Sequence, residues 1–258
     1  MDLGIKGRTA LITGGSKGIG FAIAEQLAEE GCNLILVARG ADDLAAAKEK
    51  LLKRFKVDVR VRPADLSKQS IIHELAAEFP DIDILVNNAG AIRTGRLDEV
   101  DDATWRGYWE LKVFGYISMT RAFYELMKKR SSGVILNIIG IAGERMRADY
   151  IAGSTGNAGL IAFTRAMGGE SSKYGVRILG INPGPVLTEK LKMSLKKSAK
   201  DKFGDEERWQ ELTKSMPFGR TIRPVEIGAM AALLVSDLSG YTNGEVVNID
   251  GGGMYRQP

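Results

Sequence analysis

Short apolar runs recur along the chain between longer stretches in which apolar residues return every three or four positions. The runs span residues 9–13, 34–38, 57–61, 84–87, 134–139, 176–182 and 245–249, and their length and branched side chains suit β-strands. Between them, residues 19–30, 44–55 and 71–79 carry a helical period at a spacing of about 20 residues. Strand alternating with helix predicts a parallel sheet covered by helices on both faces. No Pro/Gly/Ser-rich linker and no short repeat divides the sequence, so residues 1–258 read as a single α/β domain. Residues 186–217 break the rhythm: they lack a strand pattern and are rich in lysine, which predicts a mobile lid over a site.

The first predicted strand runs into Thr13-Gly14-Gly15-Ser16-Lys17-Gly18-Ile19-Gly20 and then a helix. Glycines at 14, 18 and 20 let the backbone turn tightly and approach a pyrophosphate, with a helix N-terminus facing the negative charge. The second strand ends at Arg39, at the position that faces an adenosine ribose in such a fold. A carboxylate there would take the 2′-hydroxyl of NAD. An arginine instead suits a 2′-phosphate, and Lys17 offers a second cation, so the expected cofactor is NADP rather than NAD.

Through these residues and several later motifs the sequence resembles the short-chain dehydrogenase/reductase family over nearly its whole length. TGGSKGIG is similar to the family's phosphate loop, with Gly14, Ser16, Lys17, Gly18 and Ile19 as its contacts. Asp65-Leu66 resembles the adenine-contacting pair, and Asn88-Ala89-Gly90, after Asn87, the fourth-strand motif. Pro183, Gly184, Val186 and Thr188 resemble the nicotinamide-side motif, and Asp250-Gly251-Gly252 a C-terminal signature. The resemblance implies a Rossmann-type, doubly wound, seven-stranded parallel sheet, a homotetramer or homodimer, and hydride transfer between NAD(P)(H) and a carbonyl or alcohol.

The catalytic pattern departs from the family. Reducing a carbonyl develops negative charge on oxygen, which calls for an acid and a donor; the resemblance implies a tyrosine, a serine, a lysine four residues after the tyrosine, and an asparagine on the preceding helix. Local alignment puts Gly140 at the serine position, Gly153 at the tyrosine, Asn157 at the lysine and Lys112 at the asparagine. The amide and the amine are thus exchanged between neighbouring helices. Two readings of Lys112 stay open: a surface residue pairing with Glu110 or Glu144, or the cation or proton donor of the site. Asn157 is expected to hydrogen-bond a cofactor ribose or water. Tyr150, one turn before Gly153, either presents its hydroxyl to the cleft or packs against a neighbour. The expected activity is an NAD(P)(H)-dependent oxidoreductase with an atypical site; the alternative is a catalytically degenerate NADP(H)-binding sensor or structural subunit.

Composition narrows the chemistry further. One cysteine, Cys32, and one histidine, His73, exclude a disulfide framework and make an imidazole or thiolate metal site untenable. Cys32 reads as a small core residue and His73 as part of an amphipathic helix. A net charge of +4 without a basic tract interleaved with aromatics does not call for nucleic acid. The lysines of residues 186–217 would suit an anionic small-molecule substrate as well as a solvated helix face. No apolar stretch is long enough to span a membrane, and a cytoplasmic location is the expectation.

Overall fold

The computed structural model describes residues 2–256. Seven strands form one sheet: β1 (Thr9–Thr13), β2 (Asn33–Ala38), β3 (Val59–Pro63), β4 (Ile84–Asn87), β5 (Gly133–Ile138), β6 (Val176–Pro183) and β7 (Val246–Ile249). Their order is β3-β2-β1-β4-β5-β6-β7 and every pairing is parallel.

Alternation along each strand feeds two cores, because successive side chains point to opposite faces. Ala10, Ile12, Leu34, Leu36, Ile84 and Val86 belong to one core. That core is capped by α1 (Gly18–Glu29), α2 (Ala41–Leu52) and α8 (Pro224–Val235) through side chains such as Ile23, Leu44 and Ile227. Leu11, Ile35, Val37 and Leu85 belong to the other. There α3 (Gln69–Glu78) and α5 (Gly115–Arg130) supply Ile72, Leu75, Met119 and Phe123, and α6 (Ile151–Ser171) continues the layer with Leu160 and Ile161. With both faces covered, the strands read as continuous apolar runs.

The order in which strands are added reverses at β1, which pairs β2 on one side and β4 on the other. In such sheets the crevice at the carboxyl ends of these strands is where ligands bind. Residues 186–217 are helical and not irregular: α7 (Glu189–Phe203) is followed by a 3₁₀ segment, Glu206–Thr213. The third strand lies two residues later than expected and ends on Pro63. As an edge strand, β3 needs no N–H there on its open side.

Candidate active site

The crevice is built first by a lock between the turns after β1 and β4. Thr13 Oγ1 accepts from the backbone N–H groups of Asn88 (2.8 Å) and Ala89 (3.0 Å). The Asn88 amide in turn donates to the carbonyl of Thr13 at 2.9 Å. Asn87 extends the lock inward, donating to Thr120 and Asn137 at 3.1 and 3.0 Å. Sequence reasoning missed this buried ladder of amides and hydroxyls; its signal was polar residues at core positions of two strands.

Over this floor the glycine loop needs its glycines. Gly14 and Gly18 have φ of +65° and +58°, where L side chains are strained. A Cβ on Gly20 would lie 2.3 Å from the Gly14 carbonyl oxygen. At the start of α1, Lys17 is the N-cap residue and its side chain does not cap the first turn, so those N–H groups are open to an anionic ligand.

A cleft of about 780 Å³ runs from this loop along the ends of β4 and β5. Gly14, Ser16, Lys17, Gly18 and Ile19 line one end, and Asn88, Ala89 and Gly90 the middle. Pro183, Gly184 and Thr188 also line it, with Thr188 against Gly18 of the loop, and both Lys112 and Tyr150 reach the wall. Lys50 and Lys190 line it too; Lys190 is one of the lysines read as suiting either an anionic substrate or a solvated helix face, and Lys50 was not marked. Arg39, Asp65, Leu66 and Val186 lie outside its lining. Arg39 is exposed at the end of β2, and its charge helps hold the Asp65 carboxyl below its ordinary range, a shift caused first by the Ser67 hydroxyl and N–H. Leu66 and Val186 are buried in the cores. Lys17 is not a free cation: its amine pairs with Asp43 at 2.8 Å. Both side chains are exposed, so the pair is weak and exchangeable.

Lys112 is not the surface residue of the first reading. It lies on a π-helical turn, Glu110–Phe114, that joins α4 (Asp102–Trp109) to α5, and it is 8% exposed. Among the described residues it is the one charged side chain in the buried set, and no ion pair includes it; Glu144 pairs with Arg165 instead, at 3.1 Å. Its amine donates to the Tyr116 hydroxyl at 2.8 Å and to the Ile138 carbonyl at 2.7 Å. Burial without an anion pushes its pKa down to about 7.

Around it the glycines open space. Tyr150, at the N-terminus of α6, lays its ring over Gly153, whose Cβ would meet Tyr150 Cε1 at 2.1 Å. Residue 153 can therefore carry no side chain while Tyr150 stays there. Burial raises the Tyr150 pKa. Asn157 sits elsewhere than expected: it is 3% exposed, outside the cleft lining, and its amide points at the Gly140 carbonyl, 3.4 Å away. The short side chain stops behind Gly140 where a longer one would emerge. In the loop before α6, Arg147 and Asp149 pair with each other at 2.6 Å.

Gly140 has φ +136° and ψ +139°, and a Cβ there would come within 2.9 Å of the Asn157 amide nitrogen. Placing a serine at this position should therefore destabilise the fold by about 1–3 kcal/mol. Urea unfolding of Gly140→Ser at pH 7.5 checks this, and a variant as stable as the parent would show that the backbone can relax.

A reversed strand order, a glycine turn opening α1 and a cleft at that reversal define a Rossmann-type protein. The chain belongs to the short chain dehydrogenase family, whose sequence profile matches residues 8–199. It is 32% identical over 249 residues to the 3-oxoacyl-(acyl-carrier-protein) reductase FabG of Chlamydia trachomatis, covering 95% of this chain and 96% of that one. It is 31% identical over 256 residues to the FabG reductase of Vibrio cholerae, covering 98% and 99%. Among solved structures, the L-sorbose reductase of Gluconobacter frateurii, complexed with NADPH and L-sorbose, superposes with a TM-score of 0.93 at 32% identity over 100% of both chains. Among the described residues no helix is long and apolar enough to cross a membrane.

Proposed function

We propose that this chain is an NADP(H)-dependent oxidoreductase that reduces a carbonyl substrate, with Lys112 as the proton donor in place of the family's tyrosine. The observation that carries the reading is a buried amine at the cleft wall, without a carboxylate partner and with a pKa of about 7. General acids work best when their pKa lies near the working pH. The glycine loop, with its positive φ angles, and the uncapped first turn of α1 fit a dinucleotide's phosphates. NADPH would supply the hydride.

Each residue then has a task. Ser16, Gly18 and Ile19 offer the phosphate site, and Asn88, Ala89 and Gly90 its floor. Pro183, Gly184 and Thr188 face the reacting end, and Arg39 stands where a 2′-phosphate would lie. Lys112 gives its proton to the alkoxide oxygen as charge develops there, and the Tyr150 hydroxyl lines the same space. Gly140 and Gly153 leave the substrate room that side chains would otherwise fill. Of the lysines on α7, Lys190 reaches the cleft while Lys196 is engaged with Glu206 and Glu207, so an anionic substrate would meet one lid cation.

NADPH oxidation measured with ketoses, short ketones and 3-oxoacyl thioesters tests the reading. Turnover with at least one class is expected. Arg39→Ala should weaken NADPH about tenfold while leaving NADH within twofold, as loss of one charge-assisted contact implies. Tight NADPH binding with no turnover on any class would favour the degenerate sensor or structural subunit.

A further inference from the structure

Lys112 owes its place to a neighbour that neither the family pattern nor the sequence motifs single out. Tyr116 lies four residues on, across the π-helical turn, and is 2% exposed. Its hydroxyl accepts from the Lys112 amine at 2.8 Å and donates to the Ile138 carbonyl at 2.9 Å. The amine reaches the same carbonyl at 2.7 Å and stands 4.3 Å from the Tyr116 ring centroid. A closed triangle results, with the carbonyl at the end of β5 as its fixed corner. Every hydrogen in it has one consistent direction: the phenol donates to the carbonyl and so presents a lone pair to the amine.

We propose that Tyr116 is the positioning residue of the Lys112 amine, holding it in its charged form at the cleft wall; this rests on the reading of Lys112 as the proton donor. The π-helical turn makes the geometry possible. An extra residue in a helix rotates the preceding turn by about 100° relative to the next one. Lys112 and Tyr116 thereby meet over Ile138, while Trp109 still reaches the Ala152 carbonyl at 3.0 Å.

The other elements packed here bring no competing charge. From β5 the contact is the Ile138 carbonyl; from the turn after β4 it is Gly90, whose Cβ would lie 2.4 Å from Lys112 Cδ. Of the titratable groups on the cleft, Tyr150 stands at the N-cap of α6 and Glu189 and Lys190 on α7, and none of them contributes to the shift of Lys112. Burial raises the Tyr116 pKa well above its ordinary value, so the phenol stays neutral and acts as a dipole. Removing its oxygen leaves the ammonium one acceptor short in a desolvated site, which favours the neutral amine.

The test is Tyr116→Phe, which keeps the ring. Two readouts are taken on the full-length protein: the pH profile of NADPH-dependent kcat, and the pH dependence of Lys112 acetylation by trace acetic anhydride, mapped by peptide mass spectrometry. The expected result is a basic limb and a labelling midpoint that both move down by about one pH unit. kcat at pH 7.5 should fall about tenfold, with KM and the NADPH Kd within twofold. Labelling needs no turnover, so it separates the two ideas. A moved midpoint in a protein without reductase activity supports the positioning role while sinking the proton-donor reading. An unmoved midpoint in a folded variant overturns the role of Tyr116 whatever the activity. If the variant melts more than a few degrees early, Tyr116→Met repeats the labelling with a different apolar replacement, and the same unmoved midpoint counts against the proposal.

Discussion

Lys112→Met should lower kcat for carbonyl reduction by about 10²–10⁴-fold, the range that a positioned general acid contributes. NADPH affinity should stay within twofold, because the phosphate site is built from the turns after β1 and β4 and not from Lys112. The pH dependence sharpens this. Proton donation needs the ammonium, and burial has pushed the amine down to about 7, so wild-type kcat/KM should fall about tenfold per pH unit above that value. Lys112→Arg separates charge from proton transfer: a guanidinium keeps its proton throughout, so the residual rate should lose the basic limb. Steady-state rates from pH 5.5 to 9.5 for the three proteins decide it. A methionine variant within tenfold of the parent at pH 7 would remove Lys112 from the chemistry.

Much of the fold was legible because its physics is local. Residues 9–13 and 34–38 are apolar without interruption, and only strands buried on both faces tolerate that; the helices between them carry one apolar stripe each. Where the reading slipped, the cause was an edge. Residues 57–61 and 59–63 alternate equally well, and the proline at 63 argues against a strand unless the strand is outermost, which depends on a pairing order that the local pattern does not carry. Residues 186–217 showed no strand because they hold none, and the lysines there that read as a solvated helix face lie on the helix of residues 189–203.

The site was legible to the extent that it depends on backbone. The glycines at 14, 18 and 20 announce a tight loop through the side chains they lack, and the cleft forms where that loop meets the turn after β4. The amine was harder. A helix surface period through residues 102–130 gives no hint of the π-helical turn at Glu110–Phe114, and without that turn the environment of Lys112 is not defined. Tyr116 belongs to none of the motifs. The available signal was a lysine and a tyrosine four apart on a face otherwise apolar, where the phenol is a side-chain oxygen within the amine's reach. Asn157 shows the opposite failure: alignment gave its position, but the reach of its side chain is set by Gly140, whose backbone conformation the sequence does not carry.

The same lysine carries a stability consequence of opposite sign. In the unfolded chain its amine has the ordinary pKa of 10.5, and in the fold about 7. Between those values the unfolded state holds a proton that the folded state lacks, so wild-type stability should rise with pH across the window. Well below pH 7 both states are protonated and the cost of the buried charge is fully present, on the order of 5 kcal/mol. Lys112→Met removes that cost and gives up two hydrogen bonds, while Tyr116 keeps its bond to Ile138. The variant should therefore be more stable than wild type by about 3 kcal/mol at pH 6, a rise of about 8 °C in Tm for a chain of this size. The advantage should shrink steadily and be nearly gone at pH 10. Urea unfolding of both proteins at pH 6, 8 and 10 measures it. A difference that is the same at every pH would mean the amine is not desolvated in the fold, and the substitution would then be acting through packing alone. Should both predictions hold, a group that destabilises the protein at neutral pH and supports turnover would be placed by function and not by folding.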